Sequence, residues 1–510
     1  MENDTGFQLS EELSALREQV RRIIRDEIIP IEKTLDPQDW EEVKELGHRM
    51  VDDMVSYLQT IRERPVWQPI PAETKKSYSD PVPLRGVGGE AAYAEFKRDI
   101  LPYPLGNIHP RFWSWVCGTG TPGSMLAEML CAAMNSNVHG GEQSAIYIEQ
   151  QVISWMKQAL GYAPEASGVL VDGGSMANFV GLAVARHAKA PSYMKTKGLA
   201  AGPPLVMYCS SETHSSVLKA VQTLGLGSDG LRFVRCNREF QIDIDALRDS
   251  IAADRKQGRC PVCVIGNAGT VNSGAIDNLE AVGRLCKEED LWFHVDGAFG
   301  ALAVLSPGLR PLLRGMDLGD SLAFDLHKWM YMPYDVGCIL VRSAEKHREA
   351  FSYAAAYLDP HERGLTAGPI SFSQYALELS RGFRALKVWF SLKEHGLDAF
   401  AGMIEQNVSQ SQYLAELVTA EPVLELLAPV PLNVVCFRFR GDLRDESRLA
   451  ELNREIVLRL QEAGTAAPST TIIGGKFAIR VANVNHRSRR EDFELLVREV
   501  VRLGGELIHG

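Results

Sequence analysis

Two stretches decide how the chain folds: LWFHVDGAFGA at residues 291–301 and SLAFDLHKWMYMPYDVGCILVR at residues 321–342. Each begins with a short apolar run that stops at an acidic residue, Asp296 in the first and Asp325 in the second. Lys328 follows in apolar surroundings, where a lysine is costly unless it is neutralised or used. Burial of this kind predicts a lowered ammonium pKa and therefore a nucleophilic amine.

Short apolar runs recur through the middle of the chain. They are GVLVDGG, LVMYCSS, LRFVRCN, CVIGNAG, LWFHVDGA, SLAFDLH and GCILVR, and amphipathic stretches such as MANFVGLAVARHAK separate most of them. Short apolar strands that alternate with helices predict an α/β fold whose mostly parallel sheet is covered on both faces. Ligands of such sheets bind beyond the carboxyl ends of the strands.

Changes of pattern along the 510 residues predict three domains. Residues 1–108 are expected to form a helical arm and linker, with an apolar stripe from Trp40 to Ile61 that this chain or a second copy must cover. Residues 109–395 contain the apolar runs and are expected to form the large domain. Residues 396–510 alternate helices with strands such as CFRFRG, which predicts a smaller α+β domain.

The composition of the chain limits which binding partners and which cellular compartment are expected. The net charge is −11 without a long basic run, so nucleic acid is a poor candidate. No stretch approaches the roughly 18 apolar residues of a membrane span, and the polar N-terminus is unlike a secretory signal. The nine cysteines are scattered, which favours a reducing cytoplasm. Cys260 and Cys263 form the one close pair, and because an apolar run follows them directly, we expect core cysteines rather than a redox site.

Four strand ends carry chemistry that packing does not require. Gly174 and Ser175 open a helix after VLVD, where free N–H groups bind phosphate, and His214 follows the run LVMYC. Each feature alone is more typical of a helix cap or a structural hydrogen bond. Together with Asp296 and Lys328, they are the parts that hold pyridoxal 5'-phosphate: the lysine would form a Schiff base, and the carboxylate would keep the pyridine nitrogen protonated.

The motifs HVDGAFG and DLHKW, with GGSMAN, THSS and GTVNSGAIDNL in matching order, resemble the group II pyridoxal-phosphate-dependent amino acid decarboxylases. The resemblance runs from about Asp39 to the C-terminus and implies the fold type I, transferase-like architecture. It implies that Ala298 lies under the cofactor ring, His214 over it and Thr270 beside it. The residues that it assigns to the cofactor are Gly174, Ser175, His214, Thr270, Asp296, Ala298, His327 and Lys328. No metal ion is expected.

Asp325 departs from the family pattern, because several members have an asparagine there, close to the phosphate. An aspartate would repel the phosphate unless it turns away or binds a donor. The resemblance also implies a homodimer with the active site at its interface and an intertwined N-terminal arm.

The L-amino acid substrate is left open. Arg480, in FAIRVANVN, matches an arginine that contacts the substrate α-carboxylate in some members. Trp113, Trp115 and Tyr147 lie in segments that line the pocket of relatives and favour an aromatic substrate, although they are equally typical of core or interface aromatics. Arg111 would instead suit an acidic side chain, as in a glutamate or cysteine-sulfinate decarboxylase.

The outcome of the reaction depends on a loop. In many relatives a loop tyrosine protonates Cα after CO2 leaves, and an ungapped alignment on LELSRGFRALKVWF places Phe372 there. Phenylalanine cannot donate a proton. Two outcomes therefore remain open: decarboxylation to the amine, with a residue such as Tyr375 as donor, or an aldehyde synthase that uses O2 and releases aldehyde, CO2, ammonia and peroxide. A cofactor-binding but non-catalytic homologue is the remote alternative.

Overall fold

The apolar runs of the sequence form the strands of a large sheet in the computed structural model, which describes residues 11–23, 25–26, 35–37, 39–352 and 361–509. The described strands are β1 (Phe112–Trp113), β2 (Ser167–Val171), β3 (Leu205–Ser210), β4 (Leu231–Val234), β5 (Cys260–Asn267), β6 (Trp292–Asp296), β7 (Ser321–Asp325), β8 (Gly337–Val341), β9 (Leu424–Leu426), β10 (Val434–Phe439), β11 (Ala467–Ile473) and β12 (Lys476–Ala482).

Seven strands form the large sheet in the order β2-β8-β7-β6-β5-β3-β4. All neighbours are parallel except β8, which runs antiparallel to both β2 and β7. The carboxyl ends of β2, β3, β5, β6 and β7 therefore meet at one edge. The central strands are buried and mostly apolar because helices cover both faces, with His294 in β6 and Ser321 in β7 as buried polar exceptions. The predicted α/β fold with a mostly parallel sheet is confirmed.

Helices occupy most of the described remainder. They are α1 (Glu11–Ile23), α2 (Trp40–Gln59), α3 (Ala72–Ser77), α4 (Gly89–Glu95), α5 (Pro122–Met134), α6 (Ser144–Leu160), α7 (Gly174–Lys189), α8 (Met194–Lys197), α9 (Ser215–Thr223), α10 (Ile244–Lys256), α11 (Leu279–Glu288), α12 (Leu326–Trp329), α13 (Ala344–Phe351), α14 (Ala385–His395), α15 (Leu397–Ala420), α16 (Glu446–Glu462) and α17 (Arg490–His509). No helix in the described part of the chain is long and apolar enough to cross a membrane.

A second sheet has the order β1-β11-β12-β10-β9 and a core of its own. Its members are antiparallel except that β1 pairs in parallel with β11. Strand β1 thus joins the C-terminal sheet, although it lies within the segment 109–395 that was predicted to form the large domain. Trp113 is fully buried in this second core, where its ring stacks on Phe493 with 4.8 Å between centroids.

The chain divides into two units that differ from the predicted domains. One comprises Met1–Tyr57 and Pro81–Leu101, and the other comprises Leu58–Asp80 and Pro102–Gly510. Leu58–Asp80 belongs to the larger unit. Within it, Val66 is buried and its N–H donates to the Gly464 carbonyl. The boundaries 1–108, 109–395 and 396–510 remain a prediction.

Candidate active site

A cavity of about 240 Å³ lies at the edge where the parallel strands end. It collects residues from β6, from the loops after β3 and β5, from the start of α7 and from the C-terminal sheet. The lining residues are Trp115, Val116, Gly174, Ser175, Asn178, His214, Ser216, Asn267, Gly269, Val271, Asp296, Ala298, Phe299, Lys328 and Arg480. Eight of the residues predicted from sequence are therefore brought together: Trp115, Gly174, Ser175, His214, Asp296, Ala298, Lys328 and Arg480.

Lys328 forms an ion pair with Asp325, the residue to which the sequence analysis assigned no role. The Lys328 Nζ lies 2.7 Å from Asp325 Oδ2, and the Asp325 side chain is fully buried at the end of β7. Burial lowers the pKa of Lys328, but the Asp325 and Asp296 carboxylates outweigh it, and the net pKa is raised. The expectation that the surroundings lower the pKa of Lys328 is therefore wrong in sign, because the two carboxylates outweigh burial.

Asp296 ends β6 and is buried with both oxygens hydrogen-bonded. Its Oδ1 accepts from the Ala298 N–H at 3.2 Å, and its Oδ2 accepts from Asn178 Nδ2 at 3.0 Å. Burial raises the pKa of Asp296 above the usual range of a carboxyl, against the opposing effect of Lys328. A cation placed beside Asp296 would stabilise its ionised form, so this position suits a protonated pyridine nitrogen.

His214 serves both as a helix cap and as a wall of the cavity. Its Nδ1 accepts the Ser216 N–H at the start of α9, so the proton of the neutral ring lies on Nε2. Burial lowers the pKa of His214, which favours this neutral form. A neutral imidazole held on one nitrogen is suited to contact a flat ring.

The start of α7 is suited to bind an anion such as a phosphate. Ser175 is exposed in the first turn of a 16-residue helix, where backbone N–H groups have no partner within the helix. A Cβ on Gly174 would lie 2.6 Å from Asp325 Oδ2, so only glycine fits between helix and strand. Lys328, the Asp296 carboxylate and the start of α7 surround one cavity. The residues present therefore fit pyridoxal phosphate.

Arg480 brings a buried cation to the same cavity. Its guanidinium donates to the carbonyls of Val271 and Ser114 and to Ser469 Oγ through four of its five N–H groups. Within the described residues it forms no ion pair with a carboxylate. The remaining N–H and the uncompensated charge are suited to bind an anionic group of a ligand.

Several predicted residues lie outside the cavity. The Thr270 hydroxyl is 3.0 Å from Ser273 Oγ, although its neighbours at 269 and 271 line the cavity. The His327 ring is held by the Val336 N–H and lies against Gly173. Both remain next to the expected cofactor site without lining it.

The aromatic and loop predictions have mixed outcomes. Trp113 belongs to the core of the C-terminal sheet, and Tyr147 is exposed on α6 with its hydroxyl donating to Glu142. Phe372 is fully buried, with its ring centroid 4.9 Å from the Arg381 guanidinium carbon. A single chain therefore does not bring these three residues to the cavity.

The sequence reasoning missed Asn178 and Asn267, which both line the cavity. Asn178 lies three residues after Ser175 in GGSMAN, hence on the same face of α7. Asn267 is a polar residue that ends an apolar strand, the same signal that identified Asp296. Asp277 holds Asn267 in place by accepting from its N–H and its side-chain amide.

Fold and site together define a pyridoxal-phosphate enzyme of fold type I. A model of the pyridoxal-dependent decarboxylase conserved domain matches residues 94–440. An aromatic-L-amino-acid decarboxylase of Bacillus atrophaeus is 32% identical over 471 residues, which are 92% of this chain and 96% of the relative. The chain belongs to the pyridoxal-dependent decarboxylase family and is a pyridoxal-phosphate-dependent carboxy-lyase.

Solved structures of the same fold include relatives with different chemistry. The Rhodiola rosea 4-hydroxyphenylacetaldehyde synthase has a TM-score of 0.82 and 26% identity, and the match covers 92% of this chain and 99% of that one. The Oryza sativa TDC with PLP and tryptamine has a TM-score of 0.87 and 24% identity, with 93% and 100% covered. The family therefore leaves both substrate and product to be decided.

Proposed function

We propose that the chain decarboxylates an aromatic L-amino acid to the corresponding amine and CO2. The observation that carries this proposal is that Lys328, Asp296 and Arg480 line one cavity. Trp115, about half exposed, adds an aromatic surface to the same cavity. The 32% identity to the bacterial aromatic-L-amino-acid decarboxylase supports the substrate class.

Each residue has a separate task in this proposal. Pyridoxal phosphate, when bound, supplies the electron sink that makes loss of CO2 feasible. Lys328 Nζ is the nucleophile that holds it covalently, and Asp296 pairs with its ring nitrogen. His214 and Ala298 enclose the ring, and Gly174, Ser175 and the adjacent His327 surround the phosphate.

The substrate is oriented by two further groups. Arg480 binds the α-carboxylate, because it is the cavity's cation without a carboxylate partner among the described residues. Trp115 packs on the aromatic side chain. An acidic substrate is less well supported, because Arg111 lies 4.0 Å from Asp492 and does not line the cavity.

An aldehyde synthase is the second candidate, and Phe372 is the observation that favours it. After CO2 leaves, Cα must receive a proton to give the amine, and a phenylalanine at the loop position cannot supply it. The oxidative reaction consumes one O2 and one water, and it releases aldehyde, CO2, ammonia and hydrogen peroxide. The similarity to the Rhodiola rosea aldehyde synthase is consistent with this outcome.

We also propose a homodimer in a reducing cytoplasm. Apolar side chains of the arm helices are exposed, among them Leu16 and Val20 on α1 and Trp40 and Val43 on α2. A second copy that covers them would bury apolar surface worth about 25 cal/mol per Å². All nine cysteines are free thiols, in agreement with a reducing compartment.

Two experiments test the proposal. Borohydride reduction of the cofactor-loaded protein should fix a pyridoxyl group on Lys328, and Lys328→Ala should remove it; a label elsewhere would refute the assignment. A panel of aromatic and acidic L-amino acids, assayed for amine, CO2, peroxide and oxygen uptake, then separates the candidates. Formation of peroxide in step with CO2 would support the aldehyde synthase and refute the simple decarboxylase. Absence of turnover with every amino acid of the panel would support the non-catalytic homologue.

A further inference from the structure

A chain of buried hydrogen bonds leads from the middle of the large sheet to the cavity. Trp292 Nε1 donates to Ser321 Oγ at 2.8 Å, and Ser321 Oγ lies 2.8 Å from His294 Nδ1. His294 Nε2 lies 2.9 Å from Asn178 Oδ1. All four side chains are at most 2% exposed, so water does not compete for these bonds.

The positions of the protons in this chain follow from its two ends. At one end, an indole N–H can only donate, so Ser321 Oγ accepts from Trp292. At the other end, Asn178 Nδ2 donates to the Asp296 carboxylate, so Asn178 Oδ1 faces His294 Nε2 and can only accept.

Burial lowers the pKa of His294 to about 3, so the ring is neutral and carries one proton. Because Asn178 Oδ1 is an acceptor, that proton lies on Nε2, and His294 Nδ1 accepts the hydrogen of the Ser321 hydroxyl. His294 Nε2 donates this proton to Asn178 Oδ1. The amide nitrogen of Asn178 faces away from His294 and towards Asp296.

The amide nitrogen of Asn178 then bonds Asp296 directly and is linked to His214 through Ser216. Asn178 Nδ2 donates to Asp296 Oδ2 at 3.0 Å and to Ser216 Oγ at 3.4 Å. Ser216 in turn holds His214 Nδ1 through its N–H and its hydroxyl, at 3.2 and 2.9 Å. A flipped amide would set Asn178 Oδ1 against the carboxylate, which is electrostatically unfavourable.

We propose that Asn178 and His294 are positioning residues that orient Asp296 and His214 for the cofactor through this proton-ordered chain. The inference rests on the proposed roles of Asp296 and His214. Ser321 and Trp292 do not line the cavity, but their hydrogen bonds stabilise this proton order and thereby favour one arrangement of donors around Asp296. The bound ring is thereby kept in one orientation.

Ser321→Thr and Ser321→Val test the inference as a matched pair. The two side chains have the same shape, but only threonine keeps the hydroxyl that bonds both Trp292 Nε1 and His294 Nδ1. In the full-length cofactor-loaded protein, Ser321→Val should raise the Kd for pyridoxal phosphate about tenfold over Ser321→Thr, or about 1.4 kcal/mol. It should also change the induced circular dichroism of the cofactor band, which reports ring orientation, and lower kcat more than it raises KM.

Asn178→Asp provides a second test at the branch point. This change keeps the shape, removes the N–H donor and places a second carboxylate beside Asp296, so the dichroism band should change even where the protein remains folded. Asn453→Asp is the control, because Asn453 is equally buried but bonds only the backbone of Phe439 and Leu449 in the C-terminal domain. It should alter thermal stability and leave the cofactor band as in the unmodified protein.

The outcomes separate this inference from the proposed function. If the unmodified protein carries no pyridoxyl label on Lys328, the proposed function fails first. If the label forms and Ser321→Val matches Ser321→Thr in Kd and dichroism, whether both resemble the unmodified protein or both are impaired, the hydroxyl sets no orientation and the inference is overturned. Loss in Ser321→Val with recovery in Ser321→Thr supports it.

Discussion

Replacing Asp325 by asparagine is expected to free the amine of Lys328 at lower pH. The Asp325 carboxylate lies 2.7 Å from Lys328 Nζ and raises its pKa, in opposition to the effect of burial. Covalent attachment of an aldehyde requires the neutral amine, and at neutral pH the pair keeps this form scarce. Without the carboxylate, burial is the dominant effect left and favours the neutral amine.

The size of the effect follows from the ion-pair distance. Two unit charges 2.7 Å apart interact by about 1.5 kcal/mol in water and by about 6 kcal/mol at an effective dielectric constant of about 20. Each 1.4 kcal/mol is about tenfold in an equilibrium. Even the lower figure predicts that Asp325→Asn raises the neutral fraction of Lys328 at neutral pH by about tenfold. The sign is fixed, because loss of an anion can only favour the uncharged amine.

The assay is the rate at which ligand-free protein binds pyridoxal phosphate covalently, followed by absorbance between about pH 6 and pH 10. In Asp325→Asn the midpoint of the rate should move to lower pH, and the rate near neutrality should rise about tenfold. The plateau rate at high pH reports separately on repulsion between Asp325 and the phosphate. Asp172→Asn is the control, because Asp172 directly follows β2, two strands away from β7, and is not among the groups that shift the pKa of Lys328. A midpoint that stays or moves upward in Asp325→Asn would refute the reasoning.

Three further changes give separate expectations. Arg480→Met should raise the KM for the amino acid about tenfold without changing the cofactor absorbance, because a buried charge-assisted contact is lost; steady-state kinetics with an unchanged KM would contradict it. Glu149→Gln leaves the fully buried Arg381 guanidinium without its carboxylate and should lower stability by about 3–5 kcal/mol, seen as an earlier denaturant midpoint. Phe372→Tyr should raise the ratio of amine to peroxide, and a constant ratio in the product assay would show that the loop alignment is wrong.

The large sheet could be predicted from the sequence because most of its strands are short apolar runs whose ends are marked by charged or turn-forming residues. A parallel strand covered on both faces is mostly apolar, so a charged or polar residue that follows the apolar run marks the carboxyl edge where ligands bind. Asp296 and Lys328 were found in this way and lie in one cavity. Asn267 obeys the same rule and was overlooked only because an asparagine has no acid–base chemistry of its own.

Trp113 and Trp115 show what local pattern cannot decide. Residues two apart on a strand share a face, but β1 ends at Trp113, and the Ser114 hydroxyl then bonds the carbonyls of the C-terminal sheet. The chain turns there, so Trp113 enters the core of that sheet while Trp115 reaches the cavity. This outcome depends on a strand more than 350 residues away, Ala467–Ile473, which no local window contains.

The charge of Lys328 required the structure for a similar reason. Sequence shows the apolar neighbours that lower its pKa, whereas the opposing carboxylate acts through a 2.7 Å contact that depends on how β7 passes into α12. In formal charges the ligand-free cavity region holds two carboxylates, Asp296 and Asp325, against two cations, Lys328 and Arg480. The family asparagine in place of Asp325 would leave one cation in excess. The contact therefore gives Asp325 a physical consequence that sequence does not show: its charge offsets that of Lys328, and the Asp325→Asn experiment measures how far this offset controls covalent binding of the cofactor.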